Sequence, residues 1–309
     1  MLVLPRKQQQ LRAKDCKAVQ PPATLTPTSA VSFTLGAPSL MRDLHCTAFD
    51  AILGLSLYLL GFGLLPLITS ALSEEFGRQP LYYVSIIGFL LTHPMAALSQ
   101  DIRPVLVARF LQGAFGSTGV VTVAGTIADI WSPHERGKPM SFYSLIAFAG
   151  NAVGGMAGGW IEVNSKLGWR WIQWIHVIAA GVYFLFFVSA VKETRISVIL
   201  RKEAKTRGHT SEESGSLAQS DVQKSLREML YLSCTRPIVL LLTEPIVFAI
   251  SLWIGFAWGV YYCMIGSIPG VFRTLHRFNQ GQVGSVYLIM GVGSVIGFFT
   301  NMYQEKLYQ

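Results

Sequence analysis

The sequence predicts an all-α membrane protein with about seven transmembrane helices, and three observations carry that expectation. Hydrophobic residues make up 51% of the 309-residue chain and charged residues only 14%, against roughly a quarter charged in an average soluble domain. Mean hydropathy is +0.43. The apolar residues also come in long unbroken runs rather than in the one-sided stripes of a water-facing helix, which identifies lipid as the solvent.

Each span needs roughly 20 mostly apolar residues to cross about 30 Å of hydrocarbon at 1.5 Å per residue. Runs of that kind lie at 50–72, 82–100, 105–128, 141–162, 171–191, 244–268 and 282–302. Residues 1–48 are polar and aperiodic, so they read as a disordered N-terminal tail. Residues 1–20 hold no apolar core, so no cleavable signal peptide is expected. Residues 49–191 then form an N-terminal transmembrane half, 192–243 a polar central loop, and 244–309 the first two helices of a C-terminal half. Within the central loop, Val222, Leu226, Met229 and Leu230 have the spacing of a surface helix over 221–235.

Charge sets the expected orientation. The central loop carries Lys192, Arg195, Arg201, Lys202, Lys205, Arg207, Lys224, Arg227 and Arg236, and loops on its side add Arg78, Arg136 and Lys138. The opposite loops hold Arg103, Lys166, Arg170, Arg273 and Arg277. Positive loops stay inside, so the central loop is expected in the cytoplasm of a multi-pass protein, with the plasma membrane as its site. One conflict remains. Seven spans put the tail outside, yet it carries Arg6, Lys7, Arg12, Lys14, Lys17 and Arg42. A missing first span would resolve it.

The net charge of +8 does not form the basic stripe with interleaved aromatics of a nucleic-acid binder, so no nucleic-acid partner is expected. Cys16, Cys46, Cys234 and Cys263 are scattered, the histidines likewise, and neither a metal site, a cofactor nor a nucleophile–base pair is expected; the chain does not read as an enzyme.

Five motifs follow. Ser70 to Tyr82 reads SALSEEFGRQPLY, with Glu74 followed by Gly77 and Arg78. RFLQGAFGS begins at Arg109, AGTIADIWSPHERGKPM ends at Met140, and GNAVGGMAGGW runs from Gly150 to Trp160. GWRW at 168–171, KET at 192–194 and TEPI at 243–246 complete the series. In this order they resemble the major facilitator superfamily, in its fungal drug:proton antiporter-like branch of multidrug and polyamine exporters. Two departures stand out: Gln79 replaces a second basic residue, and Gly155 stands where that branch has a proline. The resemblance implies a partial major facilitator bundle, with the first visible span as helix two of twelve and the last as helix eight.

By that resemblance, the chain is a transporter that exports small amphipathic or cationic compounds by alternating access, coupled to protons and embedded in the lipid bilayer. The rival reading is a truncated, transport-inactive protein or interaction subunit; a seven-span receptor fits the motifs less well. The substrate or proton pathway is expected at Arg109, Gln112, Gly113, Asn151, Gly154, Gly155, Gly158 and Gly159. A charged side chain within a span costs about 2.5–3.5 kcal/mol on insertion scales, so Arg109 needs a cavity or partner unless it snorkels to the nearby span end. The glycines permit close helix contact. Glu74, Gly77, Arg78, Asp129, Glu135 and Arg136 are expected to form a cytoplasmic gating network. Glu244 reads as a helix-end charge, GVGSVIG at 291–297 as packing, and His176 as a packed histidine, which leaves the proton-coupling group unassigned.

Overall fold

The computed structural model describes residues 22–131, 135–164, 166–190 and 226–308. Residues 1–21 and 191–225, with the tail's first five basic residues and the KET motif, lie outside these. The described residues form α1 (Pro22–Leu35), α2 (Ala37–Leu44), α3 (Ala48–Phe76), α4 (Arg78–Ala97), α5 (Ile102–Ile130), α6 (Gly137–Val163) and α7 (Gly168–Ala190). After the central segment come α8 (Leu226–Thr243), α9 (Pro245–His276), α10 (Gln280–Val286) and α11 (Leu288–Tyr308). Seven stretches are long and apolar enough to cross a membrane, one for each expected span. The last of them is interrupted where α10 meets α11. Leu226–Thr243 is helical, overlapping the surface helix expected at 221–235.

The N-terminal expectation needs correction. Residues 22–44 are helical and lie inside the bundle. Gly36 N–H donates to the Ser32 carbonyl at 3.2 Å, and Leu40 N–H to the Gly36 carbonyl at 3.0 Å, so helical bonding runs through the break between α1 and α2. At 1.5 Å per residue the pair spans roughly 34 Å, enough for one crossing. No residue from Thr24 to Met41 is exposed. The segment escapes a hydropathy search because it touches protein on all sides, and a helix that never meets lipid can carry Thr and Ser. Counted as a crossing, the α1–α2 pair would also remove the charge conflict, since the chain enters α1 at the same end of the bundle where α7 finishes.

Helix α6 explains how so polar a segment is held. A Cβ at Gly150 would meet the Thr24 carbonyl oxygen at 2.7 Å, one at Gly154 the Thr28 carbonyl oxygen at 2.6 Å, and one at Gly158 the Ser32 Cα at 2.8 Å. Two parallel helices with small residues every fourth position thus meet backbone to backbone. The Thr28 hydroxyl lies 2.9 Å from the Gly150 carbonyl oxygen and closes the contact. On another face of α6, Gly155 abuts Tyr287, and a Cβ at Gly159 would reach the Gln280 carbonyl oxygen at 2.6 Å. One glycine run therefore receives α1 on one side and α10–α11 on the other.

The ends are fixed by polar contacts. Thr47 and Asp50 form a reciprocal capping box at the start of α3, and Asn279 and Gln282 do the same for α10. Glu162 accepts from the Ser39 backbone N–H at 2.9 Å and its hydroxyl at 2.7 Å, an anion placed at the first turn of α2. Gly77 turns the chain between α3 and α4 at φ +88°, a conformation that favours glycine.

Burial ranks the helices. In its apolar window 62% of α5 is buried, whereas none of α9 is, so α5 is the axis of the bundle and α9 an outer wall. Three apolar clusters organise the interior. Tyr82, Ile86, Val123, Ile127, Tyr183 and Phe187 fill the end near Gly77. Phe33, Leu40, Ala51, Val105 and Trp169 fill the end near Gly168. Val31, Leu35, Ile265, Val283 and Tyr287 tie α1 to α9 and α10. The GVGSVIG stretch is ordinary helix, with Gly291 against Ala152 and Gly293 and Gly297 facing open space.

Replacing Gly154 by Leu is expected to cost about 1–3 kcal/mol through overpacking against α1, read as a fall in the thermal unfolding temperature in detergent. Gly255 is the matched control, since a Cβ placed there would have nothing within 4 Å. Equal unfolding temperatures for Gly154→Leu and Gly255→Leu would refute the backbone contact.

Candidate functional site

Arg109 begins its helix's inward course seven residues after Ile102, about 10 Å from the helix start, and is 0% exposed. Helix α5 begins three residues before the expected span, so Arg109 sits too deep to snorkel. Its guanidinium is held by neutral groups alone: among the described residues no carboxylate pairs with it. Nη1 donates to Gln112 Oε1 at 2.8 Å and to Ser29 Oγ at 3.2 Å. The Phe33 ring lies 4.2 Å and the Tyr58 ring 4.4 Å from its central carbon. Desolvated cation–π contacts contribute about 2 kcal/mol each, so two faces are of the order of the insertion cost. Helix α1 supplies Ser29 and Phe33, and α3 supplies Tyr58.

The hydrogen-bond sense then propagates. Arginine has donors and no acceptor, so Gln112 must turn its oxygen to Arg109 and its amide nitrogen away. That nitrogen donates to the Thr92 carbonyl at 3.2 Å and to Gln173 Oε1 at 3.3 Å. Gln173 thus presents its oxygen, which accepts from His93 Nδ1 at 2.6 Å. His176 Nδ1 donates to the Ile172 carbonyl at 2.7 Å. Both imidazoles therefore carry their proton on Nδ1. They stack with ring centroids 5.1 Å apart and planes 8° from parallel.

Neither His93 Nε2 nor His176 Nε2 has a hydrogen-bond partner, and neither do Arg109 Nε and Nη2. Orphaned polar atoms at this depth are costly. The cluster is sealed in this conformation. On α7, His176 is seven residues from Trp169 in one apolar cluster and seven from Tyr183 in the other.

The remaining expected residues divide. Gly113 meets the Tyr58 carbonyl oxygen, bringing α3 and α5 close enough for the Tyr58 ring to cover Arg109. Asn151 is buried beside α9 and engages the Tyr261 side chain. Around it lies an aromatic group: Phe148 stacks on Trp258 at 6.1 Å, and Trp258 meets Tyr261 at 5.5 Å and Tyr262 at 5.8 Å. Gly154, Gly155, Gly158 and Gly159 are the packing surface of α6 described above. At the Gly77 end, the buried Arg78 guanidinium lies over Gly125, Glu135 is exposed, and Arg136 Nε donates to the Trp131 carbonyl at 2.9 Å. The side chains of Glu74 and Asp129 lie outside the described residues. Glu244 stands just before the first residue of α9, at its N-cap.

Sequence reading missed His93, Gln173, Ser29, Phe33 and Tyr58. The available signal was spacing: Arg109 and Gln112, like Gln173 and His176, are polar pairs one turn apart in otherwise apolar spans. A hollow of about 670 Å³ lies elsewhere, at the Gly168 end, where Arg170 pairs with Asp43 at 3.0 Å. It is a wide surface basin away from the buried cluster.

A family model described as Major Facilitator Superfamily matches residues 24–307. The efflux pump radE of Floropilus chiversii is 32% identical over 277 residues, covering 88% of this chain and 51% of that protein. Polyamine transporter 4 of Saccharomyces cerevisiae is 31% identical over 277 residues, covering 89% of this chain and 41% of that protein. A bacterial homologue of the human lysosomal transporter Spinster, solved in an inward-facing conformation, shares the fold: its TM-score is 0.64 at 15% identity, over 96% of this chain and 63% of that one. The chain spans about half the length of the curated relatives it matches.

Gln112→Leu removes the strongest acceptor of a buried cation, so it is expected to destabilise the chain by about 1.5–3 kcal/mol. Phe33→Leu removes one aromatic face and should cost about 1–2 kcal/mol. Thermal unfolding in detergent measures both, and unchanged stability in Gln112→Leu would show that Arg109 does not depend on this network.

Proposed function

This chain belongs to the major facilitator superfamily, and on that premise we propose that it is a proton-coupled exporter of small amphipathic or cationic compounds, working by alternating access. The observation that carries the reading is the buried polar cluster around Arg109. A cation, two glutamines and two histidines in the middle of a membrane bundle are expensive, and their hydrogen bonding leaves donors and acceptors open on both sides. Such groups are retained in membranes where ions or substrates pass.

The aromatic group of Phe148, Trp258, Tyr261 and Tyr262 supports the substrate class. Aromatic faces attract organic cations without needing a carboxylate, and Asn151 adds a polar handle. The group sits between α6 and α9, one from each half of the chain, where binding would be sensitive to their relative movement. The Tyr58 ring shields this region from Arg109, so a cationic substrate need not meet the guanidinium directly. The names of the relatives agree in kind, one being an efflux pump and another a polyamine transporter.

Alternating access fits the distribution of contacts. Toward the Gly168 end, Gln280 Nε2 donates to the Leu35 carbonyl at 2.6 Å and Trp160 Nε1 to Ser285 Oγ at 3.2 Å. The first half of α9, residues 245–260, has no buried residue. The two parts thus meet at the Gly168 end through α10 and at the other through α11, where Asn301 donates to Ser141 and Glu305 lies against Gly137, while the first half of α9 stands free. The positive loops support a cytoplasmic position for the end at which α9 is exposed, and the plasma membrane is the membrane of this reading. Gly77, Arg78, Glu135 and Arg136, together with Glu74 and Asp129, form the cytoplasmic gate in this reading.

Cells expressing the chain are expected to lose a preloaded fluorescent lipophilic cation faster than vector controls, and a protonophore should abolish the difference. Arg109→Ala should lower the efflux rate by at least about tenfold, and Trp258→Ala by roughly two- to fivefold. Dye loss equal to that of the control cells sinks the exporter reading. Full efflux in Arg109→Ala removes that residue from the mechanism.

A further inference from the structure

We propose that the stacked pair His93–His176 is the proton-binding site of this chain, accepting a single proton on one or the other of two bare imidazole nitrogens. The inference rests on the proton-coupled reading and names the group that reading leaves open.

Four observations converge. Both rings lie in the bundle interior, His93 on α4 at 0% and His176 on α7 at 4% exposure. The tautomer of each follows from its nearest partner: the Ile172 carbonyl can only accept, and His93 Nδ1 lies 2.6 Å from the Gln173 oxygen, well inside its 3.4 Å separation from the Gln112 nitrogen. Each ring therefore offers its Nε2 lone pair, and neither lone pair has a donor. The rings are stacked, so a charge on one is felt directly by the other.

The stoichiometry follows from the neighbours. Among the described residues, Arg109 on α5 is the charged group that acts on both rings. Their direct contacts, Phe89 on α4, Gln112 on α5, and Gln173 and the Ile172 carbonyl on α7, are all uncharged, as are Ser29 and Tyr58 around Arg109 itself. Arg109 is the fixed positive charge. One proton can reside on either ring, but a second would place two like charges side by side next to a third. No carboxylate among the described residues faces the pair to balance them. The pair is a one-proton site.

The step itself is simple. A proton from water on one side adds to Nε2, no covalent bond elsewhere breaks, and the Nδ1–H bonds to Gln173 and Ile172 persist. The same proton leaves to water on the other side. In this conformation buried apolar clusters flank the pair along α7, with Trp169 seven residues before His176 and Tyr183 and Phe187 after it. Proton entry therefore requires α7 to part from its neighbours at one end, which links loading of the pair to the state of the bundle. Substrate and proton need not touch, since Tyr58 separates the two regions.

The test is a histidine titration. The chain carries six histidines. With ¹⁵N-labelled histidine in lipid nanodiscs, spectra between pH 4 and pH 9 report the protonation of each ring, and His93→Gln and His176→Gln assign the two signals. The expected result is that both start as Nδ1–H tautomers and together take up one proton, each showing partial amplitude, while either single variant lets the remaining ring titrate fully. Two full, independent titrations in the unaltered chain overturn the proposal, as does a pair that stays neutral throughout. The unaltered chain suffices for this outcome if a variant fails to fold. Efflux read in parallel separates the two ideas: a titrating pair in a chain that moves no dye sinks the exporter reading and leaves the site standing. A chain that pumps with a protonophore-sensitive rate while the pair stays neutral places coupling elsewhere.

Discussion

A helix as polar as α1 can occupy the interior of a membrane bundle only because α6 offers it a surface with no side chains. Gly150, Gly154 and Gly158 let the backbone of Thr24, Thr28 and Ser32 approach to contact, which satisfies hydroxyls and leaves no gap for lipid or water. Everything at the centre depends on that approach. Without α1 in place, Arg109 loses Ser29 and the Phe33 ring, and the cluster near Gly168 loses Phe33 and Leu40. The neighbouring face of α6, through Gly155 and Gly159, fastens α10 and α11. A run of five glycines expected to permit close helix contact is thus the point where three parts of the chain are joined. Its glycines stand in close contact in this conformation, so freedom to bend is not needed to explain them.

The second organising fact is directional. A guanidinium donates hydrogen bonds and accepts none, so each neighbour of Arg109 must turn an oxygen or a π face toward it. That demand orders Gln112, then Gln173, then His93, across three helices. Neutral acceptors and aromatic rings take the role that a carboxylate commonly fills. The outcome is a cation that is fixed in charge and in position beside two rings whose charge can change.

The sequence made the lipid-facing structure legible and the protein-facing structure much less so. Every span whose outer face meets lipid was visible as an apolar run, from Ala48–Thr69 to Gln280–Leu307, and the boundaries differed mainly at the ends. Helix α1 was missed for the converse reason: hydropathy measures contact with lipid, and α1 has none. The start of α5 was placed three residues late because Ile102 and Pro104 flank Arg103, a charge that reads as loop. At the site, Arg109 and Gln112 were found through a motif on one helix. Their partners were not, because Ser29, Tyr58, His93 and Gln173 come from four other segments and only the packing brings them together. A histidine in one span looks solitary until a second span sets another ring against it.

The polarity of α1 also bears on how the protein is made. A segment rich in Thr and Ser, with Pro27 in its middle, is a poor substrate for partition from the translocon into bare lipid. Its binding surface is Gly150 and its neighbours, and Thr28 and Gly150 are 122 positions apart. Tyr58 on α3 and Arg109 on α5 can reach the first helix earlier, but its backbone-to-backbone seat is complete only after the sixth helical segment has been synthesised.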